Sequence, residues 1–107
     1  MAEHKPCAHR LAAPARKVCD LFRLLAGHEL IGLAPGDIAQ NLGVHASWVS
    51  QNLPAIEAET GFVERVPNTN RWRLGVPLVR IATTVATNLN EARRRLDETA
   101  ARYATPL

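Results

Sequence analysis

The sequence predicts a mainly α-helical chain with one small β-hairpin and a long helix toward its C-terminal end. Three observations carry this expectation. Two short amphipathic patterns are separated only by Gly43 to His45. Two short apolar runs flank the polar cluster Pro67, Asn68, Thr69 and Asn70. From Leu78 onward, apolar and small residues alternate four- and three-residue spacings almost to the end of the chain.

Bulk properties fit a single folded domain with an appended helix. A chain of 107 residues can bury a workable core without disulfides or metal. About half of its residues are hydrophobic, and no apolar run approaches the roughly 18 residues that a membrane span requires. The first ten residues carry charges and histidines and lack the apolar stretch of a secretory signal. Cys7 and Cys19 are the two cysteines, and their placement suggests reduced thiols in a cytoplasmic protein. The net charge of +3 is unevenly spread. Residues 1 to 60 hold five Lys/Arg against six Asp/Glu, whereas residues 61 to 107 hold eight arginines against four acids. An excess of positive charge in one segment suits a surface that faces phosphate, although it is not specific to one.

Taken in order, residues 1–13 show no period and read as a flexible basic arm, followed by a compact unit over 14–76 and a helix over 77–105. Helical spacing begins at Ala15, with Val18, Leu21, Phe22 and Leu25 on one face and Gly27 as a stop. Leu30 to Leu33 is too short for a helix and reads as a small strand or an extended connector. Pro35 suits the first turn of a second helix. That helix turns Ile38, Ala39 and Leu42 inward and ends at Gly43, a residue suited to a left-handed cap. The third helix is expected from Ala46 to Glu59, with Val49, Leu53 and Ile56 inward and Gly61 closing it. His45 starts or caps it. Pro54 lacks the N–H that would bond Ser50, so a kink is expected there. Phe62 to Val66 and Arg71 to Leu74 then form the hairpin, with Trp72 directed inward.

The helix after Gly75 carries Leu78, Ala82, Val85, Leu89, Ala92, Leu96, Thr99 and Tyr103 at heptad-like spacing. About 26 residues make a helix about 39 Å long, which exceeds what a small domain covers by itself. Packing against a second copy through Leu78, Val85, Leu89, Leu96 and Tyr103 is the preferred expectation; packing on its own domain is the alternative. Arg93, Arg94 and Arg95 have helical partners in Glu91, Asp97 and Glu98, so they are expected to flank that seam rather than to bind nucleic acid.

Two short helices joined by a tight turn and followed by a hairpin define a winged helix-turn-helix. The run LAPGDIAQNLGVHASWVSQNLPAIEAETGFVERV, followed by NRWRLG, resembles the DNA-binding domain of the isocitrate lyase regulator (IclR) family. The residues that carry the resemblance are Ile38, Ala39, Leu42 and Gly43, then Gly61, Phe62 and Val63, then Arg71 to Gly75; it spans roughly Val18 to Ile81. The resemblance implies a transcriptional regulator that binds double-stranded DNA as a homodimer, cytoplasmic and associated with a bacterial or bacteriophage nucleoid. Members of that family usually carry an effector-binding domain after the winged helix. This sequence stops short of one, so no small-molecule effector is expected. Thr60 reads as an insertion before Gly61, and Gln51 or Asn52 stands where a basic residue is often found.

The first half of such a third helix meets base edges. Ser47, Trp48, Ser50, Gln51 and Asn52 are therefore the candidate reading residues. Gln and Asn can bond adenine in bidentate fashion, so A·T-containing sites are favoured; Trp48 either packs on thymine methyls or covers the junction with the preceding helix. Arg71 and Arg73 share one face of the return strand and are the candidate contacts to backbone or minor groove. Lys5, Arg10, Arg16 and Lys17 read as solvated surface charges. No acid, base or nucleophile constellation points to an enzyme, and His4, Cys7 and His9 do not complete a metal site, so no cofactor or metal is expected. The competing readings are an architectural DNA binder without sequence preference and a winged helix that contacts protein.

Overall fold

A computed structural model describes residues 9–107; Lys5, Cys7 and His4 lie outside the described residues. The element order is α1 (Ala13–Leu25), α2 (Pro35–Leu42), α3 (Ala46–Thr60), β1 (Val63–Arg65), β2 (Trp72–Leu74) and α4 (Val76–Tyr103). The chain is therefore a mainly α winged helix-turn-helix with a two-stranded antiparallel hairpin and a long C-terminal helix.

Helical periodicity in α1–α3 and strand alternation in the hairpin converge on one core. Leu21 and Leu25 come from α1, Ile38, Ala39 and Leu42 from α2, Val49 and Leu53 from α3, and Val63 and Trp72 from the hairpin. Phe22, Leu33, Val44, Trp48, Ile56 and Leu74 close its edges. Phe22 meets Phe62 edge to face, with ring centroids 6.0 Å apart; this joins α1 to the residue that leads into β1.

The turn between α2 and α3 is built from backbone bonds. Gly43 adopts φ 67°, and Val44 N donates to Ala39 O at 3.0 Å while Gly43 N donates to Gln40 O at 3.3 Å. This pair of bonds satisfies the carbonyls at the end of α2 and redirects the chain within three residues. Lys17 was expected to be solvated. Its Nζ instead reaches from α1 to Leu42 O at 2.6 Å, where a cation complements the negative end of α2.

Helix α3 runs one residue beyond its expected end at Glu59. The helix continues through Pro54 as one element of 15 residues, so the carbonyl of Ser50 simply loses its helical donor on an exposed turn. Thr60 is the last residue of the helix. Its Oγ1 donates to Ile56 O at 2.7 Å and accepts Phe62 N–H at 3.0 Å, which makes it part of the helix stop.

The connector that read as either strand or link is a single-residue strand. Leu33 and Trp72 exchange both backbone bonds, at 2.8 and 2.9 Å. The hairpin register pairs Val63 with Leu74, Glu64 with Arg73 and Arg65 with Trp72. At the tip, Asn68 takes φ 64°, and Thr69 donates both N–H and Oγ1 to Val66 O.

Helix α4 has 28 residues and none of them is buried. Its length is about 42 Å at 1.5 Å per residue. The Cα radius of gyration, 19.7 Å, exceeds the roughly 13 Å of a compact chain of this size, because α4 extends away from the three-helix unit.

Candidate nucleic-acid interface

The position of α3 follows from which side is anchored. Val49 and Leu53 are buried and Ile56 is half-buried. With about 100° between successive helical residues, Ser47, Gln51 and Ala58 fall on the opposite side. All three are exposed, as is Ser50 beside them. The five candidate reading residues therefore divide into two sets.

Ser47, Ser50 and Gln51 face solvent. Ser50 Oγ donates to Ser47 O at 3.1 Å, which occupies its proton and leaves its lone pairs outward as acceptors. Trp48 and Asn52 lie on the flank and are half-buried; Trp48 packs against the core, and Asn52 Nδ2 donates to Trp48 O at 2.9 Å. His45 occupies the N-cap position, is exposed and makes no side-chain cap bond.

The hairpin arginines have partners that lie far away in sequence. Arg71 Nε donates to Ile31 O at 3.1 Å and its Nη2 to Gly32 O at 3.0 Å. Arg73 Nε lies 2.8 Å from Glu64 Oε2, its cross-strand neighbour, and its Nη1 is 3.4 Å from Glu29 O. Both guanidinium groups thus bind the hairpin to the α1–α2 connector. The pKa of Glu29 is lowered from its ordinary value, because its carboxylate accepts the Gly27 N–H and its own backbone bond.

These contacts give a direct expectation for Arg71. Two charge-assisted bonds to carbonyls contribute roughly 1.5–3 kcal/mol each, and a lysine cannot reproduce the fork geometry. Arg71→Lys should therefore melt several degrees below the wild type, close to Arg71→Gln. A wild-type melting curve for Arg71→Lys would show that the fork is dispensable.

Charge around α3 is sparse. Residues 13–75 contain six Lys/Arg and six Asp/Glu. Lys17, Arg71 and Arg73 are engaged inside the unit, which leaves Arg16, Arg23 and Arg65. On α4, Arg94 bridges Glu91 and Glu98, each at 2.6 Å. It stands roughly 160° around the helix from Leu96, on the side opposite the apolar stripe; Arg93 and Arg95, but not Arg94, flank that stripe. Among the described residues, no group of three or more His, Cys, Asp or Glu side chains is arranged to hold a metal ion. None of their helices is long and apolar enough to cross a membrane.

Helix, three-residue turn, helix and hairpin define the class as a winged helix-turn-helix. Within that class the chain resembles the IclR-type regulators. A crystal structure of an IclR transcriptional regulator from a Silicibacter species matches it with a TM-score of 0.59 and 26% sequence identity. The match covers 80% of this chain and 34% of that protein, so the chain spans about a third of its length. No protein-family model and no curated protein matches the sequence.

Proposed function

We propose that the chain binds double-stranded DNA in a sequence-specific manner and regulates transcription as a homodimer. In this reading α3 enters the major groove, the hairpin lies along backbone or minor groove, and α4 pairs with a second copy. The observation that carries the reading is the α2–turn–α3 unit, which anchors Val49 and Leu53 and presents Ser47, Ser50 and Gln51 on a free face. The likeness to a transcriptional regulator supports it. Under this reading the protein works in the cytoplasm on bacterial or bacteriophage DNA.

Base preference follows from the side chains on that face. Arginine and lysine make the commonest contacts to guanine, while glutamine matches adenine N6 and N7. A face made of serine and glutamine favours A·T-containing sites. Trp48 and Asn52 belong to the reading surface as its flank, with Trp48 setting the height of α3 above the core. Arg71 and Arg73 act in binding by fixing the hairpin against the connector.

Selection of bound duplexes from a random pool tests the proposal. Enrichment of a two-fold-related site supports both specificity and pairing; a pool that stays random favours an architectural binder. Gln51→Ala is expected to reduce discrimination between selected and random duplexes by about 1–3 kcal/mol, with little effect on random-duplex affinity. An unchanged preference would remove Gln51 from the reading face.

A protein-contact role is favoured by one observation, the absence of a cation from the exposed face of α3. Gel shifts at decreasing salt separate the two readings, because phosphate-driven binding must strengthen steeply as salt falls. Absence of any shift at low salt would favour protein contact.

A further inference from the structure

The hairpin has three arginines, and the structure uses them differently. Arg71 and Arg73 are bound to the connector and to Glu64. Arg65, at the end of β1, is exposed, and among the described residues no carboxylate forms an ion pair with its guanidinium.

The position of Arg65 is fixed from three directions. It pairs across the hairpin with Trp72, and its Cζ lies 4.9 Å from the centroid of the Trp72 ring. Its backbone N–H donates to Glu57 Oε2 at 3.3 Å. Glu57 belongs to α3, so this bond ties β1 to the reading helix. Side chains alternate along a strand, which puts Arg65 on the same face as buried Val63 and away from the Glu64–Arg73 pair. Arg65 therefore stands at the junction of α3 and the hairpin.

We propose that Arg65 is the phosphate-binding cation of the hairpin. The inference rests on the DNA-binding reading and deepens it by naming the contact. With α3 in a major groove and the hairpin beside it, the backbone strand bordering that groove runs between the two elements, where Arg65 lies. Contact with the ring restrains the long side chain before binding, and the guanidinium retains N–H donors for phosphate oxygens. Arg65 also offsets the Glu57 carboxylate, the acidic group held at the same junction, which would otherwise repel the backbone.

The test is the salt dependence of affinity of the full chain, measured on one random and one selected duplex. Each neutralised phosphate contributes about 0.9 to the slope of log affinity against log salt. Arg65→Gln should lower the slope by about 0.9 per chain bound and weaken both duplexes by a similar factor. Arg65→Lys should restore most of the slope. Replacing the Arg94–Glu98 pair on α4 by two glutamines keeps net charge and should leave the slope unchanged. Circular dichroism on each variant checks that the fold persists. A wild-type slope for folded Arg65→Gln would overturn the assignment while the DNA reading stands. Failure of the wild type to bind either duplex at low salt would overturn both.

Discussion

Gly75→Ala should be among the most damaging single-methyl substitutions in this domain. Gly75 is buried, and its N–H donates to Phe62 O at 2.8 Å. A Cβ there would overlap the Gly61 carbonyl, with Phe62 C only 3.1 Å away. The backbone angle of Gly75, φ −84°, is open to any residue. The cost is therefore purely steric, and its partners are backbone atoms that cannot rotate aside. Overpacking typically costs about 1–3 kcal/mol, and a backbone clash that also breaks a hydrogen bond should reach or exceed the top of that range. Gly43→Ala is the matching control. Its Cβ would meet open space, so only the left-handed conformation opposes it, at about 1–2 kcal/mol. Urea unfolding of the two variants should rank Gly75→Ala well below Gly43→Ala. Equal midpoints would mean that the Gly61–Phe62 segment yields to the new methyl group.

The second large effect is expected on α4. Val85, Leu89, Leu96 and Tyr103 are 56%, 66%, 67% and 83% exposed, and they fall on one side of a helix with no buried residue. In proteins most helical stability comes from packing an apolar face rather than from intrinsic propensity. Burial of a leucine contributes roughly 1.5–3 kcal/mol, and two positions on two chains make four such side chains. Leu89→Asp combined with Leu96→Asp should therefore weaken pairing by at least about four orders of magnitude. Sedimentation should show a dimer for the wild type and a monomer for the variant, with the α1–α3 core melting little changed. A wild-type monomer at high concentration would remove pairing through this stripe altogether, and a dimeric double variant would move it elsewhere.

How far the sequence reveals this structure depends on the range of the interaction involved. The α2–turn–α3 unit was legible because its determinants are local: Ile38, Ala39 and Leu42 at helical spacing, and Gly43 and Gly61 at the left-handed caps that end the two helices. Trp72 was legible as core by alternation alone. The roles of the hairpin arginines were not. The acceptors of Arg71 lie 39 and 40 residues away, and they are main-chain carbonyls, which no periodicity reveals. Lys17 is the same case, since its partner is a carbonyl 25 residues away. Arg94 differs, because its place opposite the apolar stripe follows from helix geometry alone. Helix α3 continues through Pro54, with Val49 and Leu53 buried before it. Arg65 had a detectable signal, an exposed basic residue two positions after buried Val63. Its ring contact with Trp72 and its link to Glu57 are long-range and leave no mark in the periodicity.

The close packing at Gly75 also joins the start of α4 to the end of α3. Gly75 is hydrogen-bonded to Phe62, and Pro77 in the first turn of α4 sits against Gly61, the residue that ends α3. Its Cγ would be 3.0 Å from a Cβ at that glycine. The base of α4 thus lies beside the end of α3, although the whole hairpin separates the two helices in sequence. A restraint on this 28-residue helix would therefore act on the domain next to the residue where the helix carrying Ser47 and Gln51 ends.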